Sequence, residues 1–245
     1  MHQMKMRFFI NISHEMRTPL TLILNPLQEM ISKSSDTWMR KQLKYVERNA
    51  KRLMHLINQL MDYRRAELGV FKLKIRPENV HKIIKESWSY YERLAQSRKL
   101  QYSLLSELEG KTLYIDGQYL ELILNNLLSN AFKYTDAGSI TVRAMQKDEQ
   151  LYIEVSDTGK GIPAEEQERI FERFYQIDNE HIGSGIGLSL VQKLVDLHHG
   201  KITLKSAEGA GSTFSICLPL SLAVYSAEEL GNNTEVHTLN SLDHY

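Results

Sequence analysis

The sequence predicts an α-helical hairpin that pairs with a second copy into a dimeric four-helix bundle, followed by an α+β domain. Apolar residues repeat at alternating steps of three and four as far as Gly69, which is typical of packed helices. Short alternating strands mixed with helical stretches follow. Charge divides at the same place, because residues 1–70 hold 12 basic and 6 acidic side chains, whereas the remaining residues hold 18 and 24. We therefore expect a hairpin at 1–69, a second domain at 70–221 and an acidic linker or tail at 222–245.

The hairpin is predicted from two helical seams separated by a loop. The loop is the Ser34-Ser35-Asp36 cluster, which suits a turn and a helix N-cap. Further apolar residues widen each seam beyond what a lone antiparallel pair covers, which favours closure with a second hairpin. Packing of the hairpin against the second domain of the same chain is the alternative that the pattern leaves open. The seam residues are Phe9, Met16, Leu20, Ile23, Leu27 and Met30, then Met39, Leu43, Val46, Ala50, Leu53, Ile57 and Leu60.

The second domain is predicted from six short strands and four helices. We expect the helices to cover one face of a mixed sheet. We also expect His198 and His199 to cap the last helix as imidazolium groups, with Gly200 closing it. The predicted strands are 71–75, 113–115, 140–145, 151–155, 202–205 and 213–218, and the predicted helices are 78–98, 118–134, a short one after Pro163, and 187–198.

Composition and charge exclude several classes of function. Hydrophobic residues make up 42% and charged residues 24%, which excludes a disordered chain. The net charge of zero gives no whole-chain attraction to nucleic acid or anionic lipid. The sequence contains neither a long apolar run nor a signal peptide, so we expect any membrane anchor to lie outside this chain. The one cysteine, Cys217, is expected to be a buried strand thiol in a reducing compartment.

Residues 9–20 form the first cluster with chemical potential. His14 lies off the apolar seam, Glu15 is its neighbour, and Thr18 lies one turn along the same face. A carboxylate bonded to Nδ1–H would fix the imidazole tautomer and leave Nε2 free to attack an electrophile. Pro19 removes a backbone hydrogen bond and is expected to kink the helix below His14. A surface histidine beside a glutamate is also ordinary, so this pair alone does not establish chemistry.

Residues 126–135 place two amides and a cation on one face of a predicted helix. Asn126, Asn130 and Lys133 follow at i, i+4 and i+7, next to Tyr134. An amide oxygen can ligate Mg2+ while the metal keeps waters and phosphate oxygens, and a lysine can neutralise phosphate charge. A polar face that merely meets solvent is the alternative. The residues expected to bury the opposite side are Leu124, Leu127, Leu128 and Ala131.

Two glycine clusters complete the candidate site. Asp157-Thr158-Gly159-Lys160-Gly161 follows a predicted strand, and Gly183-Ser184-Gly185-Ile186-Gly187-Leu188 precedes a helix. Backbone amides can approach a ligand at such glycines, and phosphate binds well at a helix N-terminus. Asp157 offers a carboxylate to the amino group of a base. Neither cluster is a dinucleotide fingerprint or a P-loop, because no strand leads directly into Gly183 and no Gly-Lys-Ser/Thr follows.

In kind and in order, these motifs resemble the catalytic core of a sensor histidine kinase over residues 3–220. Phe171-Glu172-Arg173-Phe174-Tyr175 and Gly211-Ser212-Thr213-Phe214 complete the set. The resemblance is strongest to hybrid sensors, in which a receiver domain follows the core. It implies a dimeric phosphoacceptor hairpin and a GHKL-type α/β-sandwich ATP-binding domain. It also implies ATP-dependent autophosphorylation and relay of the phosphoryl group to a receiver aspartate.

The resemblance implies a role for each matched residue. His14 matches the phosphorylated histidine, Glu15 its acid/base partner, and Thr18 the residue that helps orient water for dephosphorylation of a partner. Asn130 matches the Mg2+ ligand, and Asn126 its helper. The further ATP contacts are implied at Lys133 on phosphate, Tyr134 stacked near adenine, Asp157 on the adenine amino group, Gly159, Gly161, Gly183, Gly185, Gly187, Leu188 and, near the base, Thr213.

One position departs from the family pattern. Many members have an arginine near the γ-phosphate directly after the Phe-Tyr pair, where this chain has Gln176. Arg173, Lys160 or a residue of the partner subunit are candidates for the assisting cation. The implied partners are a second copy and a response-regulator receiver domain, without nucleic acid or membrane contact. We expect a soluble, cytoplasmic portion of a sensor anchored in the inner membrane.

Two other classes of function stay open. A GHKL ATPase clamp, as in the gyrase and chaperone relatives, shares the nucleotide motifs but needs a catalytic carboxylate where this chain has Asn126. The second is a non-catalytic signalling scaffold, or an enzyme that works mainly as a phosphatase on its partner. ATP turnover without phosphohistidine would indicate the first class, and dephosphorylation of a receiver without autokinase activity would indicate the second.

Overall fold

The computed structural model describes residues 19–67, 73–177 and 185–230. The chain divides into two units, one of residues 1–71 and 168–190 and one of residues 72–167 and 191–245. The predicted site residues that lie outside the described residues are His14, Glu15, Thr18 and Gly183.

Two helices form the hairpin of the first unit. Helix α1 covers residues 19–33, and α2 covers Thr37–Glu67. Asp36 caps α2, since its Oδ1 accepts a hydrogen bond from the backbone N–H of Trp38 at 2.8 Å. The predicted loop and N-cap are therefore confirmed.

The hairpin buries alternate members of the predicted seams. Leu20, Ala50 and Ile57 form one buried cluster, against which Leu24 and Met54 pack. The intervening seam residues are 44% to 56% exposed, and they are Ile23, Met30, Met39, Val46 and Leu53. Among the seam residues whose side chains the structure describes, one set therefore closes the hairpin, and a second set lies exposed in the single chain.

The second unit contains a five-stranded mixed sheet in the order β2-β4-β5-β7-β6. Strand β2 is parallel to β4 and the other pairs are antiparallel, while β1 and β3 pair separately. The strands are β1 Arg76–Glu78, β2 Gln101–Ser106, β3 Leu113–Ile115, β4 Ser139–Lys147, β5 Gln150–Asp157, β6 Lys201–Ser206 and β7 Ser212–Pro219.

Helices cover one face of this sheet, as predicted. Helix α3 (Val80–Arg98) packs against α4 (Gly117–Tyr134) and β2, and α4 packs against β5. Helix α5 begins at Gly187 and ends at Leu197. The short helix predicted after Pro163 is a single 3-10 turn, Ala164–Glu166. On the other face, hydroxyl groups pair across strands, as Ser103 does with Thr141 at 3.0 Å. No helix among the described residues is both long and apolar enough to cross a membrane.

The strand β2 was absent from the sequence prediction. Its alternation is weak because Tyr102, Leu104 and Ser106 share the half-buried face and Leu105 is 53% exposed on the other. The first strand of the described residues lies at Arg76–Glu78. Of the predicted strand at 71–75, the first two residues lie outside the described residues, and Ile75 forms only an isolated bridge.

The end of α5 differs from the prediction. His199 adopts the left-handed conformation (φ 55°) that Gly200 was expected to supply. His198 is fully buried and its Nδ1 lies 2.8 Å from the Leu194 carbonyl oxygen. Burial lowers the pKa of His198, so the prediction of an imidazolium cap at this residue is wrong.

Cys217 also differs from its prediction as a buried thiol. It is half-exposed, and its Sγ lies 3.0 Å from Oε1 of Gln150. Phe214, Ile216 and Leu218 are buried, so the intervening Cys217 points to the open face of the sheet.

Residues 222–230 remain packed on the second unit, beyond the predicted boundary at 221. Tyr225 is buried, and its hydroxyl donates to the Pro219 carbonyl at 2.8 Å. The backbone N–H of Ile75 donates to the Glu229 carbonyl at 2.8 Å, and Ile75 bridges Leu230. Loss of regular periodicity therefore does not mark the end of the folded chain.

Candidate nucleotide site

Helix α4 supplies a polar face and an apolar face. The four residues predicted to be buried, Leu124, Leu127, Leu128 and Ala131, are at most 3% exposed. The face with Asn126, Asn130 and Lys133 is half-buried. The helix begins after Asp116, whose Oδ1 accepts the N–H groups of Gln118 and Tyr119, both at 3.1 Å.

The two amides of this face differ in their bonding. Asn126 donates from Nδ2 to the Leu122 carbonyl at 2.7 Å, which holds its side chain along the helix. Asn130 makes no side-chain hydrogen bond to any residue in the described part of the chain. Its amide oxygen is therefore available to a cation that also binds phosphate.

The C-terminal end of α4 contacts the loop after β5. The Tyr134 carbonyl accepts the backbone N–H of Lys160 at 3.2 Å. A Cβ on Gly159 would lie 2.2 Å from the Tyr134 oxygen, so only glycine permits this approach. The predicted helix motif and the predicted glycine cluster are thus brought together.

Two lysines converge on the ring of Tyr134. The ammonium of Lys133 lies 4.7 Å from the ring centroid, and that of Lys160 lies 4.9 Å from it. Lys133 also donates to the Tyr134 hydroxyl at 2.8 Å. This arrangement gives the site positive charge beside an aromatic surface, which suits a nucleotide.

Asp157 ends β5 beside these groups. Its Oδ1 accepts the Gly159 N–H at 2.8 Å. Burial raises the pKa of Asp157 above the usual carboxyl value, while the N–H groups of Gly159 and Ser212 and the Thr135 side chain act to lower it. The carboxylate is thus a half-buried acceptor with an oriented lone pair.

A serine network holds the same loop to the β6–β7 turn. Ser206 Oγ accepts the Ile162 N–H at 2.8 Å and donates to the Gly211 carbonyl at 2.8 Å. Gln167 Nε2 donates to the Ile162 and Ser206 carbonyls, both at 3.0 Å. The sequence prediction missed Ser206 and Gln167, because isolated serines and glutamines carry no motif.

The structure does not bring Thr213 to Asp157. Thr213 lies opposite Ser156 on the open face of the sheet and donates to its hydroxyl at 3.0 Å. Ser212 is the residue paired with Asp157, and it is buried on the same face as Phe214. The apolar alternation from Phe214 to Leu218 could have identified Ser212 as the inward hydroxyl.

The second glycine cluster belongs to the first unit. Gly185 precedes α5, and Gly187 and Leu188 are its first two residues, so free N–H groups are present there as predicted. The Gly185 carbonyl accepts the Phe174 N–H at 2.9 Å, which joins this cluster to the Phe171–Tyr175 motif.

The candidate cations are placed in different units. Arg173 is exposed in the first unit and Lys160 lies in the second. The guanidinium of Arg169 stacks over Tyr175 at 4.2 Å, which uses it for local packing. The described residues contain no cluster of three or more His, Cys, Asp or Glu side chains that could hold a metal.

Two family models match the chain. Residues 4–69 match the model described as the His Kinase A (phospho-acceptor) domain. Residues 115–222 match the model described as histidine kinase-, DNA gyrase B-, and HSP90-like ATPase.

Curated relatives match over nearly the whole chain. Histidine kinase P4 of Formosa agariphila is 39% identical over 228 residues, which cover 89% of this chain and 17% of that protein. Hybrid signal transduction histidine kinase D of Dictyostelium discoideum is 37% identical over 229 residues, which cover 89% of this chain and 15% of that protein. The chain therefore spans less than a fifth of the length of these relatives.

Solved structures share the fold. Full-length ShkA in complex with AMPPNP matches with a TM-score of 0.75 at 24% identity, over 88% of this chain and 46% of that chain. The catalytic domain of histidine kinase ThkA matches with a TM-score of 0.55 at 25% identity, over 60% of this chain and 97% of that domain.

Proposed function

Because the chain belongs to the sensor histidine kinases, we propose that it transfers the γ-phosphoryl group of ATP to His14 and then to an aspartate of a receiver domain. The observation that carries the proposal is the join between α4 and the β5 loop. This join gathers a free amide, two lysines, an aromatic ring and an oriented carboxylate at one place. Such a set suits a purine nucleoside triphosphate.

Each group has a task in this proposal. Asp157 accepts a hydrogen bond from the amino group of adenine, and Tyr134 lies next to the base. Lys133 contacts the phosphates, and Asn130 binds Mg2+, which when present neutralises charge on the phosphate oxygens. Catalysis then consists mainly of positioning, because phosphoryl transfer needs alignment and charge stabilisation more than covalent help.

His14 is the proposed acceptor. Its Nε2 attacks the γ-phosphorus while Glu15 accepts the hydrogen bond of Nδ1–H and stabilises the positive charge that develops on the ring. Thr18 is proposed to help orient water when the enzyme dephosphorylates its partner. The proposed assembly is a homodimer, and the proposed partner is a receiver domain, in the same or another chain.

The structure favours a kinase over a GHKL ATPase clamp. A clamp needs a carboxylate in α4 to activate water, but Glu121 is the only acidic residue of α4 and it is exposed. Glu121 and Asn130 are nine residues apart, which places them on opposite sides of the helix.

The first experiment is incubation with γ-labelled ATP and Mg2+, followed by acid and alkali treatment and peptide mapping. We expect label that is acid-labile, alkali-stable and located at His14. His14→Ala should abolish labelling and leave ATP affinity unchanged. Label that survives His14→Ala would overturn the proposal.

A matched pair of variants tests the metal ligand. Asn130→Asp should lose both nucleotide binding and labelling, because the variant replaces a neutral amide by a negatively charged carboxylate next to the phosphates and Mg2+. Asn125→Asp makes the same chemical change on another side of α4 and should retain both. Equal effects of the two variants would contradict the proposal that Asn130 binds the metal.

A further inference from the structure

Thr135 follows α4 directly and is completely buried. Its Oγ1 has no hydrogen-bond partner of normal geometry among the residues that the structure describes. An unpaired hydroxyl in a protein interior is unfavourable, and native structures rarely keep one without a partner that arrives with a ligand or a water.

The Asp157 carboxylate lies beside the end of α4 that Thr135 continues, because a Cβ on Gly159 would lie 2.2 Å from the Tyr134 carbonyl oxygen and 2.9 Å from Asp157 Oδ1. Burial raises the pKa of Asp157, and the Thr135 side chain is one of the groups that act against that rise, although its hydroxyl makes no formed hydrogen bond in this structure. The backbone holds them in place, because Lys160 N–H bonds to the carbonyl of Tyr134, the residue before Thr135.

The remaining bonds of Asp157 show what a bond from the Thr135 hydroxyl would add. Oδ1 is already oriented by the Gly159 N–H at 2.8 Å. A carboxylate must stay ionised and fixed in rotation to accept a hydrogen bond from the amino group of a base, since a protonated carboxyl could present a donor there and a rotated carboxylate would direct its lone pairs elsewhere. A second oriented donor would supply that constraint.

We infer that Thr135 is a positioning residue for base recognition, whose hydroxyl donates to Asp157 when nucleotide is bound and aims the carboxylate at the adenine amino group. The inference rests on the proposed function, because it assumes that Asp157 reads adenine. Because Thr135 is completely buried, we expect it to act through Asp157 and not to touch the nucleotide itself.

The test uses Thr135→Val, which removes the hydroxyl and keeps the shape, and Thr135→Ser, which keeps the hydroxyl. The extended backbone of Thr135 (φ −118°, ψ 107°) accommodates valine, and removal of an unpaired hydroxyl should leave the melting temperature without nucleotide unchanged or higher. Thr203→Val, at an exposed position of β6, is the matched control.

Dissociation constants are measured for ATP and for purine riboside triphosphate, which lacks the amino group. We expect Thr135→Val to weaken ATP binding about tenfold and to leave the analogue within about twofold, as for loss of a hydrogen bond to a charged group. Thr135→Ser should restore the preference for ATP, and kcat for labelling at saturating ATP should not change in either variant.

The outcomes separate this inference from the proposed function. If the wild-type chain binds both nucleotides equally, Asp157 does not recognise the amino group. That result would overturn both the inference about Thr135 and the proposed recognition of adenine by Asp157. If wild type prefers ATP and Thr135→Val prefers it as strongly, only the role of Thr135 is overturned. Equal weakening of both nucleotides, or failure of serine to rescue, would show a merely structural role and would also overturn it.

Discussion

Gly161 occupies the most crowded position of any glycine that the structure describes. Its φ is +69°, and a Cβ there would lie 1.9 Å from the Ala207 carbonyl oxygen. Because Gly161 has no side chain, the loop after β5 can approach the β6–β7 turn closely. At this approach the Gly209 N–H donates to the Lys160 carbonyl at 2.7 Å. The glycine of the motif thus acts through packing of the loop, besides the contact with nucleotide that we propose for it.

Gly161→Ala should therefore destabilise the protein and weaken ATP binding. We expect the free energy of unfolding to fall by about 3 kcal/mol or more, since both backbone strain and a steric clash are introduced. Gly110→Ala is the matched control, because Gly110 has φ +75° but nothing within 4 Å of the added Cβ. It should cost only about 1 kcal/mol of backbone strain. Urea denaturation of the two variants measures the difference, and equal losses would contradict it.

His198 makes the stability of the protein sensitive to acid. Burial lowers its pKa, and its Nε2 has no hydrogen-bond partner within the described residues. The unfolded chain therefore binds the proton more readily, so the stabilisation is present above the ordinary histidine pKa and is lost as pH falls through the folded-state value. Asp116, His199 and Glu229 are the charged or titratable groups that act on it.

His198→Asn tests this account. The asparagine can donate to the Leu194 carbonyl as Nδ1–H does, but it does not titrate. We expect a variant that is less stable at pH 7.5 and whose further loss on acidification to pH 5.5 is smaller than that of wild type. Chemical denaturation at both pH values measures it, and an unchanged acid dependence would exclude His198 as the cause.

At the scale of elements, residues 222–230 form a strap that joins three parts of the second unit. The Tyr225 hydroxyl bonds to Pro219, the Glu229 carbonyl accepts from Ile75, and the Glu229 carboxylate lies 3.4 Å from Nε2 of His199. The strap is stabilised internally, since Ser226 N–H donates to Glu229 at 2.7 Å. It therefore connects the start of this unit to the end of α5.

Removal of the strap should destabilise the domain. A chain that ends at Leu220 loses the buried Tyr225 ring and the bond to Ile75, and we expect a loss of about 2 kcal/mol or more in the free energy of unfolding. A chain that ends at Gly231 keeps the described contacts and is the matched control. Equal stability of the two truncated chains would show that the strap is dispensable.

The strands show why part of the site could be predicted and part could not. The two faces of α4 and the position of Asp157 at the end of β5 could be predicted, because they follow from one helix period and one strand end. Register is a different matter, since one residue of shift turns a side chain to the other face. The register of β5 and β7 pairs Ser212, and not Thr213, with Asp157, and no motif in the sequence states that register.

Partners distant in sequence were the least predictable. The hydrogen bonds of Ser206 and Gln167 join segments about 40 residues apart, and no local sequence pattern predicts such bonds. The edge strand β2 was missed for a related reason, because its pairing with β4 is parallel and depends on a helix between them. The seams of the hairpin were predictable, because their period is local and sustained.

At the scale of the whole molecule, the exposed half of the hairpin seams needs an explanation. Ile23, Met30, Met39, Val46 and Leu53 recur at steps of seven within each helix and are about half exposed. A continuous apolar stripe of this kind is typical of an interface rather than of a solvated face. A second hairpin with the same stripe would cover it, which is the proposed homodimer.

Val46→Asp should weaken this dimer. An ionised carboxylate in the apolar interface is strongly unfavourable, and we expect the dissociation constant of the dimer to rise at least about 100-fold. Lys41→Asp is the control, because Lys41 is exposed and lies on the opposite side of α2 from the stripe. Light scattering across a dilution series measures both. If Val46→Asp, Lys41→Asp and wild type all dissociate alike, the stripe does not form the dimer interface. That result would favour the alternative, in which the hairpin packs on the second domain of the same chain.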